Sequence, residues 1–147
     1  MKFAIKKRRF GENKLISADF PKCQSPMSPK QASSMNALVL AFIGDAVQTL
    51  GVRTRLASSS DFKAGELHRL TSVAVNARAQ AEKSASLADK LTDDERAVFM
   101  RARNSKSKNV AKNAAVGEYH MATALEAVIG FLYLTGQDDR IRELFAD

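Results

Sequence analysis

The chain is predicted to be all-α, and three observations carry that prediction. All three prolines fall at positions 21, 26 and 29, so helices can run unbroken from residue 30 onward. Two stretches, LVLAFIGDAV (38–47) and MATALEAVIGFLYL (121–134), are apolar on every side, as a buried helix is. No period-two alternation of the kind a half-buried strand needs follows residue 30. At 147 residues the chain fits one domain with a self-sufficient core. The division expected is a basic arm over 1–28 and a helical body over 29–147.

The elements follow in order. Residues 1–20 are compatible with a short hairpin, MKFAIKKRRF–GENK–LISADF. Ser28-Pro29-Lys30-Gln31 reads as a helix start, with Ser as N-cap, Pro at the first helical position and Gln at the third. The first long helix is expected over about 34–57, ended by Ser58-Ser59-Ser60-Asp61. Further helices are expected over about 63–75 and 77–88, the second capped by Asn76. Thr92 and Glu95 form a capping-box pair that opens a helix running to about Arg103. NSKSKNVAKN (104–113) is polar and weakly periodic, hence a loop. A second apolar helix spans about 119–134, stopped by Gly136 beyond its C-cap. A short helix over 138–145 ends the chain.

Composition narrows the function classes. One Cys excludes an intrachain disulfide, and one Cys with two His cannot build a structural zinc site. A reducing, intracellular setting is expected. No uninterrupted apolar run reaches the roughly 18 residues of a membrane span, and the N-terminus lacks a signal-peptide core, so no membrane partner is expected. The formal charge of +7 points to an anionic partner, nucleic acid first.

That charge is uneven. Residues 1–30 hold eight Lys or Arg against two acids, whereas the other 117 residues hold 15 against 14. The arm reads either as a solvated tail or as a sequence-independent phosphate contact. Within the body, residues 96–112 carry six basic groups and no acid, a patch that whole-chain totals hide.

Two acids break the apolar helices: Asp45 in LVLAFIGDAVQTL and Glu126 in MATALEAVIGFLYL. Burying an unpaired carboxylate costs several kcal/mol, so each is expected to be paired, protonated or bound to a metal. Gly44 and Gly130 lie beside them, and glycine inside a helix, about 1 kcal/mol worse than Ala, suggests two backbones in close approach. Two facing carboxylates would make a hard-oxygen site suited to Mg²⁺ and to metal-assisted phosphodiester hydrolysis. The bland alternative is a salt bridge, such as Asp45 with Arg53 or Arg69. The residues alone leave both open.

LAFIGDAV (40–47) resembles the ribonuclease III signature, and LEAVIGFLYL (125–134) resembles that family's second motif. GELHRLTS (65–72), NARAQAE (76–82), LTDDERAVFMRARNSKS (91–107), AKNAAVGEYHM (111–121) and DDRIRELF (138–145) extend the likeness in unbroken order. They match the Mini-III branch, a catalytic domain without a double-stranded-RNA-binding domain. Full-length relatives carry a Glu where this chain has Ala41 and an Asp where it has Thr123; the Mini-III pattern keeps only the single Asp and single Glu.

The resemblance implies a dimeric ribonuclease III endonuclease fold. It implies a Mg²⁺-dependent endoribonuclease, with Mn²⁺ as a possible substitute, cutting double-stranded RNA to leave 5′-phosphate and 3′-hydroxyl ends. Asp45 and Glu126 would be the catalytic metal ligands, with Thr123 placed to orient a water. The implied role is maturation of large-subunit (23S) ribosomal RNA precursors, with room for a ribosomal-protein cofactor, in bacterial cytoplasm or an organelle of bacterial descent. Arg101, Arg103, Asn104, Lys106, Lys108, Lys112 and Asn113 are the expected RNA contacts. His68, Arg69, Arg78 and Gln80 are further candidates, His68 also reading as a structural histidine. The rival reading, motivated by the two absent acids, is a non-catalytic duplex-RNA-binding or ribosome-associated helical protein.

Overall fold

In the computed structural model, residues 20–105 and 116–145 are described. Seven α-helices occur among them: α1 (Pro29–Ser34), α2 (Ala37–Ser59), α3 (Ala64–Ala74), α4 (Ala77–Leu87), α5 (Asp93–Arg103), α6 (Val116–Leu134) and α7 (Asp138–Phe145), with a single 3₁₀ turn at Ala88–Lys90. The all-α prediction holds among the described residues, which include no strand. The hairpin expected over 1–20, apart from Phe20, lies outside the described residues.

Helix ends follow local chemistry. The Ser28 hydroxyl accepts from the Gln31 N–H, and the Gln31 side chain accepts from the Ser28 N–H. Thr92 and Glu95 form the same reciprocal pair at α5. Asn76 accepts from the Ala79 N–H at 2.8 Å. Gly136 takes φ +68° after α6, a backbone that glycine adopts without cost. Two boundaries differ from expectation. The helix expected from residue 34 is two helices, because Asn36 accepts from the Leu38 N–H and starts α2 afresh. The serine run does not stop α2 at residue 57: the helix continues to Ser59, with the hydroxyls of Ser58, Ser59 and Ser60 donating one turn back to the carbonyls of Thr54, Arg55 and Leu56.

α6 is the central helix, packed by α2, α4 and α5. Ala124, Leu125, Ala127, Val128, Ile129, Phe131 and Leu132 are all buried on it, as its apolar run requires. α2 differs. Its apolar run predicts burial on every side, yet Val39, Phe42 and Leu50 are 45%, 76% and 51% exposed. Only its Leu40–Ala41–Gly44–Val47–Gln48–Gly51 side is covered. By length and composition α2 could cross a bilayer, with a mean hydropathy of 1.3 over its best 18 residues. It is the one such helix among the described residues, and its covered side packs against α6.

Part of the expected arm belongs to the body. Phe20 stacks on Phe145 with ring centroids 5.9 Å apart. The Met27 N–H donates to the Leu134 carbonyl at 2.8 Å, and Phe20 and Met27 pack on the core. At the other end, α7 is tied to α5 through Glu95, only 2% exposed. Arg140 donates to both Glu95 carboxylate oxygens, at 2.8 and 2.9 Å, and to the Lys90 carbonyl at 2.7 Å. Burial alone would raise the Glu95 pKa; Arg140 and Thr92 more than offset it and hold it below its ordinary value.

Arg140→Ala should therefore strand a buried carboxylate and cost about 3 kcal/mol or more, read as a lower midpoint of denaturant unfolding. An unchanged midpoint would show that α7 is not held this way.

A two-carboxylate site where two helices cross

α2 and α6 touch backbone to backbone. A Cβ on Gly44 would overlap the Glu126 carbonyl and stand 2.8 Å from the Gly130 nitrogen. A Cβ on Gly130 would overlap the Leu40 carbonyl and stand 3.1 Å from the Gly44 nitrogen. Each glycine is thus required by the other helix. Asp45 follows Gly44, and Glu126 precedes Gly130 by one turn, so the crossing that needs the glycines also brings the acids together.

Their surroundings are unequal. Asp45 is exposed, not buried as the apolar run suggested, and accepts a 3.4 Å hydrogen bond from the Thr49 hydroxyl one turn on. The reason is the open face of α2. Glu126 is half-buried on α6. Burial, then the negative charge of Asp45, push its pKa up to about 7, while the Gln80 side chain pulls it partly back. The alternative salt bridges do not form: Arg69 pairs with Glu66 at 2.6 Å, and no ion pair reaches Asp45 among the described residues. The two acids therefore lie near each other with no cation paired to either among the described residues.

Such a pair fits one divalent ion. The donors are hard carboxylate oxygens, and magnesium commonly takes one or two of these. No cluster of three or more His, Cys, Asp or Glu occurs among the described residues, so the protein ligand set is sparse. Ala41 is buried and offers no oxygen from its side chain; Thr123 is buried and its hydroxyl donates to the Tyr119 carbonyl at 3.0 Å.

The structure distributes the remaining candidates widely. Gln80, expected at an RNA groove, is 3% exposed and turned into the protein beside Glu126, because it lies on the face of α4 that packs against α6. Arg101, expected on RNA, donates instead to the carbonyls of Ser33 and Met35 at 2.7 and 3.0 Å, closing the C-terminal end of α1. Arg103 and Asn104 are exposed at the end of α5. Arg69 and Arg78 are exposed and paired within their own helices to Glu66 and Glu82. His68 is exposed on α3 and lines a cleft of about 180 Å³ with Arg53, Ala57, Ala64, Leu67 and Thr71. Lys106, Lys108, Lys112 and Asn113 lie outside the described residues. Sequence reasoning missed the link from Gln80 to Glu126. The available signal was Gln80 and Ser84 one turn apart on α4, polar residues on what becomes its buried side.

Gly44→Ala or Gly130→Ala should cost about 3 kcal/mol, lowering the melting temperature by roughly 10 °C. Gly65→Ala, with nothing within 4 Å, serves as the neutral control; equal effects would contradict the crossing. Glu126 supplies a second outcome, because it holds its proton up to about pH 7 in the folded protein, against an ordinary value of 4.5. The folded state therefore binds that proton more tightly than the unfolded state. The resulting stability is full below the ordinary value and is lost as pH rises to about 7. Without divalent ions, the wild type should lose more stability than Glu126→Gln across this range. Parallel pH profiles would contradict the shift.

Comparison with known proteins agrees with this geometry. Residues 38–137 match the ribonuclease III domain model. The chain is 44% identical to the Mini-ribonuclease 3 of Clostridium tetani over 111 residues, covering 75% of this chain and 74% of that protein. It is 44% identical to that of Brevibacillus brevis over 109 residues (74% and 81%) and 42% identical to that of Enterococcus faecalis over 112 (75% and 85%). A crystal structure of a Fusobacterium nucleatum protein superposes with a TM-score of 0.70 at 29% identity, covering 76% of this chain and 89% of that one. With its two motif acids brought together at the α2–α6 crossing, the chain belongs to the ribonuclease III family, in its Mini-ribonuclease 3 branch, and is an endoribonuclease.

Proposed function

We propose that the chain is a divalent-cation-dependent hydrolase of double-stranded RNA that matures large-subunit (23S) ribosomal RNA precursors as a homodimer, in bacterial cytoplasm or an organelle of bacterial descent. Ribonuclease III enzymes act on duplex RNA and use a divalent metal, and the named relatives are bacterial. The observation that carries the reading is the Asp45–Glu126 couple, which no cation pairs among the described residues. Burial, then repulsion from Asp45, raises the Glu126 pKa, and a bound cation would relieve that repulsion. Mg²⁺, or Mn²⁺ in its place, would be held by these two carboxylates and would activate water for phosphodiester hydrolysis, leaving 5′-phosphate and 3′-hydroxyl ends.

The chain's own groups supply the rest. Asp45 is open to solvent, so a backbone phosphate can reach it, while half-buried Glu126 is held from behind by α4 and α6. Arg103 and Asn104 project from the end of α5. Arg69 and Arg78 sit in exposed ion pairs, which solvent screens and leaves weak, so duplex phosphates can compete for them. Lys106, Lys108, Lys112 and Asn113, outside the described residues, are candidate contacts by sequence alone, and His68 is a candidate contact from α3. The homodimer is supported by the apolar side chains of Val39, Phe42 and Leu50 left uncovered on α2, a pattern that marks interaction surfaces.

Asp45→Asn and Glu126→Gln should each abolish Mg²⁺-dependent cutting of a structured ribosomal precursor while duplex binding survives, and EDTA should stop the wild type. Cleavage that persists in both variants would overturn the reading. Binding with no cutting by the wild type would favour a non-catalytic RNA-binding protein, the reading that the absent acids at Ala41 and Thr123 suggest.

A further inference from the structure

We propose that Gln80 is a positioning residue of this site: its buried carboxamide steers the Glu126 carboxylate and presents to the cation a neutral oxygen that neither acid supplies. The inference rests on the cation reading above. Gln80 is 3% exposed on α4, a helix that packs against α6. Its Nε2–H donates to the Val75 carbonyl at 2.8 Å, which fixes which end of the amide is nitrogen. The same side chain lies close enough to the Glu126 carboxyl to lower its pKa against the effects of burial and Asp45. Its Oε1 is buried and has no hydrogen-bond partner among the described residues.

That orphan oxygen is the informative atom. Leaving a buried amide oxygen unpaired costs about 1–3 kcal/mol, and a methionine of similar volume would avoid the cost. One turn further along α4, buried Ser84 shows the ordinary solution: its hydroxyl donates to the Met121 carbonyl at 2.9 Å. Gln80 is left unsatisfied at the one place on α4 that adjoins a ligand-poor acidic pair. Hard divalent cations and their hydration shells seek oxygen, and residues that hold a metal-ligating carboxylate from behind tune its affinity. A bound cation or its hydration shell would give this costly oxygen a partner. Gln80 would thus recruit a third helix into a site whose acids come only from α2 and α6.

The test is a Mg²⁺ titration of the full-length, isotope-labelled protein, followed by the Gln80 side-chain amide and the Glu126 carboxyl resonances. Both should shift with one midpoint. A Glu126 response with a silent Gln80 amide overturns this inference alone; silence at both overturns the cation reading and the inference with it. Gln80→Met adds a second readout. It should keep duplex affinity, bind Mn²⁺ about tenfold more weakly in direct binding measurements, and lose about tenfold in kcat with KM within about twofold. A folded Gln80→Met protein with unchanged Mn²⁺ affinity overturns the proposal. The wild-type titration decides the matter if that variant does not fold.

Discussion

The contact between the backbones of α2 and α6 is the constraint on which the rest of the molecule depends. Gly44 meets the Glu126 carbonyl and Gly130 meets the Leu40 carbonyl, with no room for a methyl group on either side. Side chains usually keep packed helix axes 8–10 Å apart; two glycines at the contact remove that spacer. The cost in helix propensity, about 1 kcal/mol for each glycine, is offset by packing along the whole interface. α4 and α5 then close around α6, and α7 is tied in through Arg140 and Glu95.

The chemistry is a consequence of the same contact. An acid placed beside each crossing glycine comes near the other whatever its own preference, and burial, then the charge of Asp45, raises the cost of ionising Glu126. Among the described residues no protein cation relieves this. Asp45 keeps water on one side, Glu126 is pushed towards neutrality, and Gln80 lends a single amide. This is an arrangement strained when both acids are ionised, and the proposed divalent ion would relieve it.

What the sequence made legible was local. The caps at Ser28, Asn76 and Thr92 and the left-handed Gly136 are read from neighbours within four residues, and all occur as expected. The glycine crossing was legible too, because glycine weakens a helix interior and is tolerated there when a second backbone must pass close by. Facts that depend on a second element were not legible. An apolar helix looks the same whether its far side meets its own chain or is left uncovered, so the exposure of Phe42 and Asp45 could not be read. An arginine in a basic run looks like an RNA contact until the carbonyls of Ser33 and Met35 are found beneath Arg101. Gln80 and Ser84, one turn apart, hint at a shared side of α4, but nothing local says that this side turns inward to Glu126.

The proposal that the α2–α6 crossing holds one cation between Asp45 and Glu126 of the same chain is tested most directly by anomalous scattering from crystals grown with Mn²⁺. A peak bonded to a carboxylate oxygen of both residues, at about 2.0–2.2 Å and within one protomer, is the expected result. A peak elsewhere, or carboxylates that close on an arginine with no metal between them, would contradict it.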